Sequence, residues 1–429
     1  MDTSSTNKEK ILVIGGGFAG LNFAQQLFGN KAYDITLIDK NNYNYFTPLL
    51  YQVATSFLEP SSISYPFRKL FRNKGIRFRL AELQKVDTTT QTVYLSDGEL
   101  KYDHLVFATG TKTNFFGKES VQKNAISLKE IDDALSMRNE LLRTLEKAVI
   151  EKDLVERKKL LTIVIAGGGP TGVEVAGMLA EMRKYILAKD YPELKGAEGD
   201  IYIVDGLPVL LAPMSDKSHK DAYDILAKLG VKIKLNAFVD NYENGQVKFV
   251  NGDVIDTRTF IWAAGVTGIT FDGIPETSLG PGKRMVTDVY NRVKGFNNVW
   301  AIGDISYQQT DEVYPKGHPQ LAQPAIQQGT TLGKNFRRLA KGQPMKPFKY
   351  FDRGDMAIIG RNHAVADLLK HKLHLRGFLA LMSWLFIHVV SLVNYTNKIR
   401  TLYNWMVAYL TKDQSLRMIF RSGRSGQLN

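Results

Sequence analysis

The stretch LTIVIAGGGPTGVE, residues 161–174, predicts how this chain folds. Residues 161–166 form a short apolar run rich in β-branched side chains, which is typical of a buried strand. Gly167, Gly169 and Gly172 follow with the spacing G-x-G-x-x-G, and residues 173–189 continue with a helical pattern. Strand, glycine turn and helix in this order form the dinucleotide-binding fingerprint. Its first glycine makes the turn, its second lets the backbone approach a pyrophosphate, and its third seats the helix against the strand.

A second copy of this fingerprint lies near the N-terminus. Gly15, Gly17 and Gly20 follow a predicted strand at residues 11–14 and precede a predicted helix at residues 21–28. The next predicted strand, residues 35–38, ends in Asp39, where an acid is expected to bind a ribose hydroxyl. A single fingerprint is weak evidence. Two copies, each between a strand and a helix, predict one site for FAD and one for a nicotinamide nucleotide.

The matching acid of the second copy is Asp205, which follows a predicted strand at residues 201–204. It lies 33 residues after Gly172, because a polar insertion at about residues 189–200 lengthens the connection. Asp205 is expected to accept hydrogen bonds from the adenosine ribose. No Lys or Arg follows it until Lys217, so no basic side chain nearby is placed to bind a 2′-phosphate. We therefore predict NADH rather than NADPH.

The composition excludes several kinds of chemistry. The 429 residues are enough for two or three domains, and none of them is cysteine. This excludes disulfides, thiolate catalysis and cysteine-ligated zinc or iron–sulfur sites, and we predict no metal site. The first ten residues are polar and carry both charge signs, so we expect neither a signal peptide nor a transit peptide.

The C-terminal tail combines positive charge with apolar helical patterns. Residues 361–429 hold ten basic residues and two acids, a net charge of +8 out of +13 for the chain. Residues 377–393 are almost wholly apolar but short for a membrane span, which usually needs about 20 residues. Residues 397–411 have the pattern of an amphipathic helix, and Trp384 and Trp405 suit a bilayer interface. We predict a tail that lies on a membrane; a C-terminal core or a homodimer interface is the alternative.

Two further segments resemble a known family. KNNYNYFTPLLYQVAT, residues 40–55, and AQPAIQQ, residues 322–328, are similar to segments of the type II NADH:quinone oxidoreductases. In that family the second segment is the quinone-site motif AQxAxQQ. The resemblance extends from Ile11 through the tail, and residues 348–360 look like the strand pair that follows the second segment in the same family. It implies an α/β fold with two Rossmann-like domains, in which the FAD domain is discontinuous and the NADH domain is inserted, followed by C-terminal membrane-associating helices. We predict the FAD domain at residues 1–115 and 286–345, the NADH domain at 116–285 and the tail at 346–429.

The resemblance also implies an activity and a set of site residues. The expected enzyme oxidises NADH, with FAD as hydride acceptor and a quinone as electron acceptor, and pumps no protons. Glu174 and Gln323 are the implied catalytic residues, although Glu174 is equally well explained as a first-turn helix acid. The implied quinone contacts are Gln323 and Gln327. The expected FAD contacts are Gly15, Gly17, Phe18, Ala19, Gly20, Asp39, Lys40, Thr109, Gly110, Gly303, Asp304, Ala322 and Gln323. The expected NADH contacts are Gly167, Gly169, Pro170, Thr171, Gly172, Glu174, Asp205, Ala264 and Gly265.

The AQPAIQQ segment also predicts where a helix begins. Pro324 suits a first helical turn, because its missing N–H has no partner there anyway. A helix that begins at Pro324 would leave Gln323 just before that turn, with its carboxamide able to reach a ligand.

Two other functions stay open from the sequence. A soluble FAD-dependent NADH reductase that serves a small redox protein would lack the apolar, basic tail. A redox sensor similar to apoptosis-inducing factor would carry its basic residues on a polar face. We predict instead a peripheral membrane protein on the cytoplasmic face of a bacterial inner membrane, with no nucleic-acid partner.

Overall fold

The computed structural model describes residues 8–197, 199–369, 372–411 and 416–420. Four basic residues of the predicted tail, Lys370, Lys412, Arg421 and Arg424, lie outside these ranges, as do residues 1–7. The chain divides into two compact units. Unit 1 comprises residues 1–45, 65–112 and 266–352, and unit 2 comprises residues 46–64, 113–265 and 353–429. The four-part domain division given above stays a prediction.

The helices of the described residues are α1 (Phe18–Gln26), α2 (Leu50–Ala54), α3 (Pro60–Ile63), α4 (Phe67–Leu70), α5 (Glu119–Asn124), α6 (Ile131–Ile150), α7 (Leu154–Leu161), α8 (Pro170–Met182), α9 (Ala188–Asp190), α10 (Asp216–Lys228), α11 (Ala322–Leu339), α12 (Gly377–Ser391) and α13 (Tyr395–Thr411). A π-helical turn, Arg183–Leu187, joins α8 to α9.

The strands are β1 (Glu9–Ile14), β2 (Tyr33–Asp39), β3 (Tyr43–Tyr45), β4 (Ser64–Pro66), β5 (Ile76–Leu80), β6 (Leu83–Asp87), β7 (Thr92–Leu95), β8 (Gly98–Lys101), β9 (His104–Phe107), β10 (Thr111–Thr113), β11 (Ile126–Ser127), β12 (Ile163–Ala166), β13 (Ile201–Val204), β14 (Val231–Lys234), β15 (Val239–Glu243), β16 (Gln246–Phe249), β17 (Val254–Asp256), β18 (Thr259–Trp262), β19 (Val266–Gly268), β20 (Leu279–Gly280), β21 (Arg284–Thr287), β22 (Val299–Ala301), β23 (Ser306–Gln308), β24 (Gly354–Ile359), β25 (His363–Leu368) and β26 (Leu373–Arg376).

Unit 1 is built on a five-stranded parallel sheet with the order β22-β9-β1-β2-β5. The strand β1 is central, and its four apolar residues at 11–14 are at most 5 % exposed, so it reads as a continuous buried run. The chain leaves β1 toward β2 on one side and returns to β9 on the other. Helices α1 and α11 pack closely. Gly329 of α11 lies so near α1 that a Cβ on it would overlap the carbonyl oxygen of Ala19. The crevice at the carboxyl ends of β1 and β9 is thus the topological switch point, where doubly wound sheets bind ligands.

Unit 2 repeats this arrangement with the order β11-β18-β12-β13-β14, again parallel. Here β12 is central, and the switch point lies between β12 and β18. The predicted architecture of two Rossmann-like sheets, the first on a discontinuous chain, is confirmed.

The C-terminal part of unit 2 is a three-stranded antiparallel sheet, β24-β25-β26, followed by α12 and α13. Within the described ranges, no helix combines the length and apolar character needed to cross a bilayer. The apolar face predicted for residues 397–411 is on the outside of α13. Its six side chains are each at least 49 % exposed: Ile399, Leu402, Tyr403, Met406, Tyr409 and Leu410. The inward face of α13 carries Asn397, Thr401, Trp405 and Ala408.

Four predictions of local structure were wrong. The strand predicted at residues 161–166 begins at Ile163, because Leu161 ends α7. The helix predicted from Pro324 begins two residues earlier, at Ala322. The strand pair predicted at residues 348–360 consists of β24 and β25, which extends to Leu368. Trp384 and Trp405, expected at a bilayer interface, are 0 % and 7 % exposed; they pack against each other, and Trp405 Nε1 donates a 2.7 Å hydrogen bond to Gln52 Oε1.

Candidate functional site: two dinucleotide cradles

The three glycines of the N-terminal fingerprint have different surroundings. Gly15 has a φ of +100°, and a Cβ there would overlap the carbonyl oxygen of Ala108, just after β9. A Cβ on Gly20 would overlap the carbonyl oxygen of Gly15, so α1 lies directly against the turn. A Cβ on Gly17 would have no atom of the described chain within 4 Å. The turn is therefore packed at its first and third glycines and open at its second, where a pyrophosphate would approach.

The fingerprint of unit 2 has the same construction. Gly167 has a φ of +118°, and a Cβ there would overlap the carbonyl oxygen of Ala263, just after β18. A Cβ on Gly172 would overlap the carbonyl oxygen of Gly167, whereas one on Gly169 would have no described atom within 4 Å. Both units thus present one open glycine at the start of a helix, which is the geometry that binds phosphate groups.

The acid of each unit is bound to its own glycine turn. Asp39 accepts hydrogen bonds of 2.7 Å from the backbone N–H groups of Gly16 and Asn41. Asp205 likewise accepts from the N–H of Gly168, and from that of Leu207 at 2.7 Å. A carboxylate has about four lone-pair sites, so Asp205 has acceptor capacity left for ribose hydroxyls. The polar insertion lengthens the connection between Gly172 and Asp205, but Asp205 still binds its glycine turn as Asp39 does.

Further polar groups lie at the same edge of the unit 1 sheet. The hydroxyl of Thr109, which follows β9, is buried and has no hydrogen-bond partner within the described chain. Gly303, with a φ of +76°, follows β22, and a Cβ there would press on the methyl group of Ala19 in α1. The unpaired hydroxyl of Thr109 and the open backbone at Gly17 fit a bound dinucleotide such as FAD, which would supply the missing hydrogen bond.

The AQPAIQQ segment uses two of its three glutamines for structure. The amide of Gln327 donates to the carbonyl of Phe351 at 2.8 Å and accepts from its N–H at 3.0 Å. Gln328 is buried and accepts a 2.6 Å hydrogen bond from the N–H of Gly303. Sequence reasoning missed Gln328; the doubled glutamine of the motif was the signal that could have found it. Gln323 lies in the first turn of α11 and is partly exposed.

Glu174 lies in α8, close to the open end of the unit 2 fingerprint. Its side chain is 8 % exposed, and burial raises the pKa of its carboxyl well above the ordinary value. The N–H of Ile358 in β24 donates a long hydrogen bond of 3.5 Å to Glu174 Oε1, which opposes this shift only weakly. The nearby phenol of Tyr51 is also buried, and burial and Glu174 together raise its pKa. Burial therefore favours the neutral, protonated form of Glu174.

The remaining predicted contacts lie at the same edges of the two sheets. Phe18, Ala19 and Gly20 form the first turn of α1, Lys40 follows β2 and is exposed, and Gly110, with a φ of +66°, follows β9. Asp304 follows Gly303, and Ala322 begins α11. In unit 2, Pro170 and Thr171 begin α8, while Ala264 and Gly265 follow β18.

The chain matches the family model described as pyridine nucleotide-disulphide oxidoreductase over residues 9–329, which include both fingerprints. Two type II NADH:quinone oxidoreductases of Mycobacterium tuberculosis, NdhA and Ndh, are 34 % and 33 % identical to it. Each alignment covers 94 % of this chain and 87 % or 89 % of the relative. The chain belongs to the type II NADH:quinone oxidoreductases. Enzymes of this family oxidise NADH and reduce a quinone without pumping protons.

A solved structure has the same fold. NDH2 from Plasmodium falciparum, determined in complex with NADH, has a TM-score of 0.88 at 23 % identity, covering 96 % of this chain and all of that one. The name of the broader family, pyridine nucleotide-disulphide oxidoreductase, refers to a disulfide. This protein has no cysteine and therefore cannot form one.

Proposed function

We propose that this enzyme binds FAD through unit 1 and NADH through unit 2, and that its C-terminal helices bring it to a membrane that contains quinone. Bound FAD supplies the two-electron chemistry that links NADH oxidation to quinone reduction. The observation that carries the proposal is a feature found in both units. Each has one open glycine at the start of a helix, beside an acid that is hydrogen-bonded to the same turn.

In unit 1, the open backbone at Gly17 and the N-terminus of α1 would receive the FAD pyrophosphate. Asp39, bound to the glycine turn, would accept hydrogen bonds from the adenosine ribose hydroxyls. The unpaired Thr109 hydroxyl would bond the cofactor, and Gln328 would hold the Gly303–Asp304 turn in position through the Gly303 N–H.

In unit 2, Gly169 and the N-terminus of α8 would receive the pyrophosphate of NADH, and Asp205 its adenosine ribose. The backbone carbonyl of Lys234 accepts a hydrogen bond from the N–H of Asp205, but the ammonium group of Lys234 is paired with Asp253 at 2.8 Å. This cation is therefore not available for a 2′-phosphate, in keeping with a preference for NADH.

Two side chains would serve the reacting groups. Glu174, whose protonated form is favoured by burial, would donate its carboxyl proton in a hydrogen bond at the nicotinamide end of the unit 2 site. Gln323, in the first turn of α11, can donate a hydrogen bond from its amide to a quinone carbonyl. We assign Gln327 a positioning role instead, because both polar atoms of its amide are bound to Phe351.

The membrane-binding surface would be the exposed apolar face of α12 and α13. Three side chains of α12, Phe378, Leu379 and Phe386, are 66–69 % exposed. The only titratable group of α12 is His388, whose pKa burial lowers to about 4 while its Nδ1–H donates to the carbonyl of Trp384 at 2.8 Å. Since His388 is neutral at pH 7, α12 meets the bilayer without a charged side chain.

The same surface could also pair two copies of the chain. We propose a peripheral protein at the cytoplasmic face of a bacterial inner membrane, with a homodimer formed through α12 and α13. The mass of the protein in detergent, measured by light scattering, tests the dimer independently of membrane binding.

The test of the proposed function uses the purified full chain. It should be yellow, release FAD on denaturation, and oxidise NADH with a water-soluble quinone. In cell fractionation it should sediment with membranes and leave them with detergent rather than salt. A colourless protein that cannot be reconstituted with FAD would contradict the cofactor assignment. Full activity with a small redox protein and none with quinone would favour the soluble reductase instead.

A further inference from the structure

Unit 2 contains a cavity at the edge of its sheet opposite the fingerprint. The cavity has a volume of about 360 Å³. Its lining includes the first residue of three parallel strands: Ile163 of β12, Ile201 of β13 and Thr259 of β18. Gly167 and Asp205 instead follow the carboxyl ends of β12 and β13. The cavity is therefore distinct from the proposed NADH site, although α8 extends from one to the other.

The walls of the cavity are mainly apolar. Helix α6, the end of α8 and the π-helical turn contribute Leu141, Leu145, Leu179, Met182, Ile186 and Leu187. A π-helical turn is rare and is frequently found at functional sites. The polar insertion that separates Gly172 from Asp205 in sequence provides a further wall through Ala197 and Gly199. This insertion takes no part in the proposed redox reaction. Forming a wall of the cavity is a role that it could have instead.

The charged groups of the lining are already satisfied. Asp200 pairs with Lys232 at 2.8 Å, and the guanidinium of Arg183 donates to the carbonyls of Gly199 and Gly230 at 3.0 and 3.1 Å. Thr259 differs from them: it is 1 % exposed, and its hydroxyl has no hydrogen-bond partner within the described ranges. The lining of the cavity is thus mainly apolar, has no unpaired charge, and includes one residue, Thr259, whose buried hydroxyl has no partner in the described chain.

We propose that this cavity binds a neutral, mostly apolar small molecule that forms a hydrogen bond with Thr259. An engineered apolar cavity of ~150 Å³ binds benzene, and the present cavity is more than twice as large. A two-ring aromatic molecule or a short acyl chain with a single hydroxyl or carbonyl group fits this volume. The site does not depend on the proposed quinone reduction, because none of the fingerprint glycines of either unit lines it.

The experiment compares 1-naphthol with naphthalene, which lacks the hydroxyl, on the FAD-loaded full chain by ligand-observed NMR. We expect saturable binding of both probes and no displacement by NAD⁺. Thr259→Val removes the unused hydroxyl with little change in volume; it should weaken 1-naphthol at least roughly fivefold, as the loss of one hydrogen bond does, and leave naphthalene within about twofold. Thr55→Val is the matched control, because Thr55 is equally buried, its hydroxyl is already bonded to the carbonyl of Tyr51 at 2.8 Å, and it does not line the cavity.

A second variant tests the cavity itself. Ala197→Phe places a ring into the space from a partly exposed position and should abolish binding of both probes while FAD content stays at the wild-type level. Absence of saturable binding to the wild type would overturn the proposal. Displacement by NAD⁺ would overturn it too, because the probe would then occupy the dinucleotide site. So would binding that neither Thr259→Val nor Ala197→Phe changes.

Discussion

Replacing Glu174 by Gln tests whether this acid is neutral in the folded protein. The side chain is 8 % exposed, and burial is the main cause of its raised carboxyl pKa. The hydrogen bond from the N–H of Ile358 is long, at 3.5 Å, and stabilises the carboxylate less than burial destabilises it. Gln has the shape of the protonated acid but does not titrate, so Glu174→Gln separates the proton from the packing.

The expected effect follows from the difference in proton binding between the two states. The unfolded chain releases the Glu174 proton near the ordinary pKa of ~4.3. Between that value and the raised pKa of the folded state, the unfolded state binds fewer protons than the folded state. The free energy of unfolding of the wild type therefore falls by about 1.4 kcal/mol for each pH unit as the pH rises through this window, and is unaffected by Glu174 below it. Glu174→Gln removes this loss, so the variant gains about 1.4 kcal/mol per pH unit relative to the wild type.

Urea unfolding between about pH 5 and pH 8 measures this difference. Tryptophan fluorescence reports mainly on unit 2, because three of the four tryptophans, Trp262, Trp384 and Trp405, lie in it. Glu156→Gln is the control: the hydrogen bond from Arg258 lowers the pKa of Glu156, so this acid is ionised in both states and its substitution should have the same effect at each pH. A Glu174→Gln effect that is equally independent of pH would refute the reasoning, because the folded protein would then hold a buried carboxylate.

Three further predictions concern the substrates and the membrane. Gln323→Leu should lower the rate of quinone reduction roughly tenfold, since loss of one hydrogen bond to a partner that gains charge costs about 1.4 kcal/mol. The rate of flavin reduction by NADH, measured by stopped flow, should stay within a few-fold of the wild type. An equal fall in both rates would assign Gln323 to the flavin. The kcat/KM for NADH should exceed that for NADPH by about tenfold or more, because Asp205 would repel a 2′-phosphate; equal values would show that Asp205 is misassigned. Leu410→Glu should weaken liposome binding about tenfold or more, since burying a Leu side chain contributes about 1.5–3 kcal/mol, whereas Leu154→Glu, in α7 at a comparable exposure (72 % against 76 %), should leave co-sedimentation unchanged. If both substitutions release the protein equally, the apolar face of α13 is not the anchor.

Local sequence patterns were enough to predict the two sheets and the position of their ligand edges. The glycine spacing is tied to backbone geometry, since Gly15 and Gly167 both require a positive φ that other residues rarely adopt. The strand predicted before Asp205 has the bounds Ile201–Val204 in the structure, because a β-branched run in a parallel sheet is buried on both faces. Features that depend on neighbouring residues in the chain could therefore be predicted from the sequence.

Features that depend on distant contacts were decided only by the tertiary structure. A helical periodicity shows which side chains share a face, but does not show whether that face meets the core or the outside. In α13 the apolar stripe is outside, while Trp405 is buried through its bond to Gln52, more than 350 residues away in sequence. The same holds for Gln327, whose amide is bound to Phe351, and for Glu174, which β24 helps to bury. The protonation of an acid and the partner of an amide depend on burial and distance, which the order of residues along the chain does not contain.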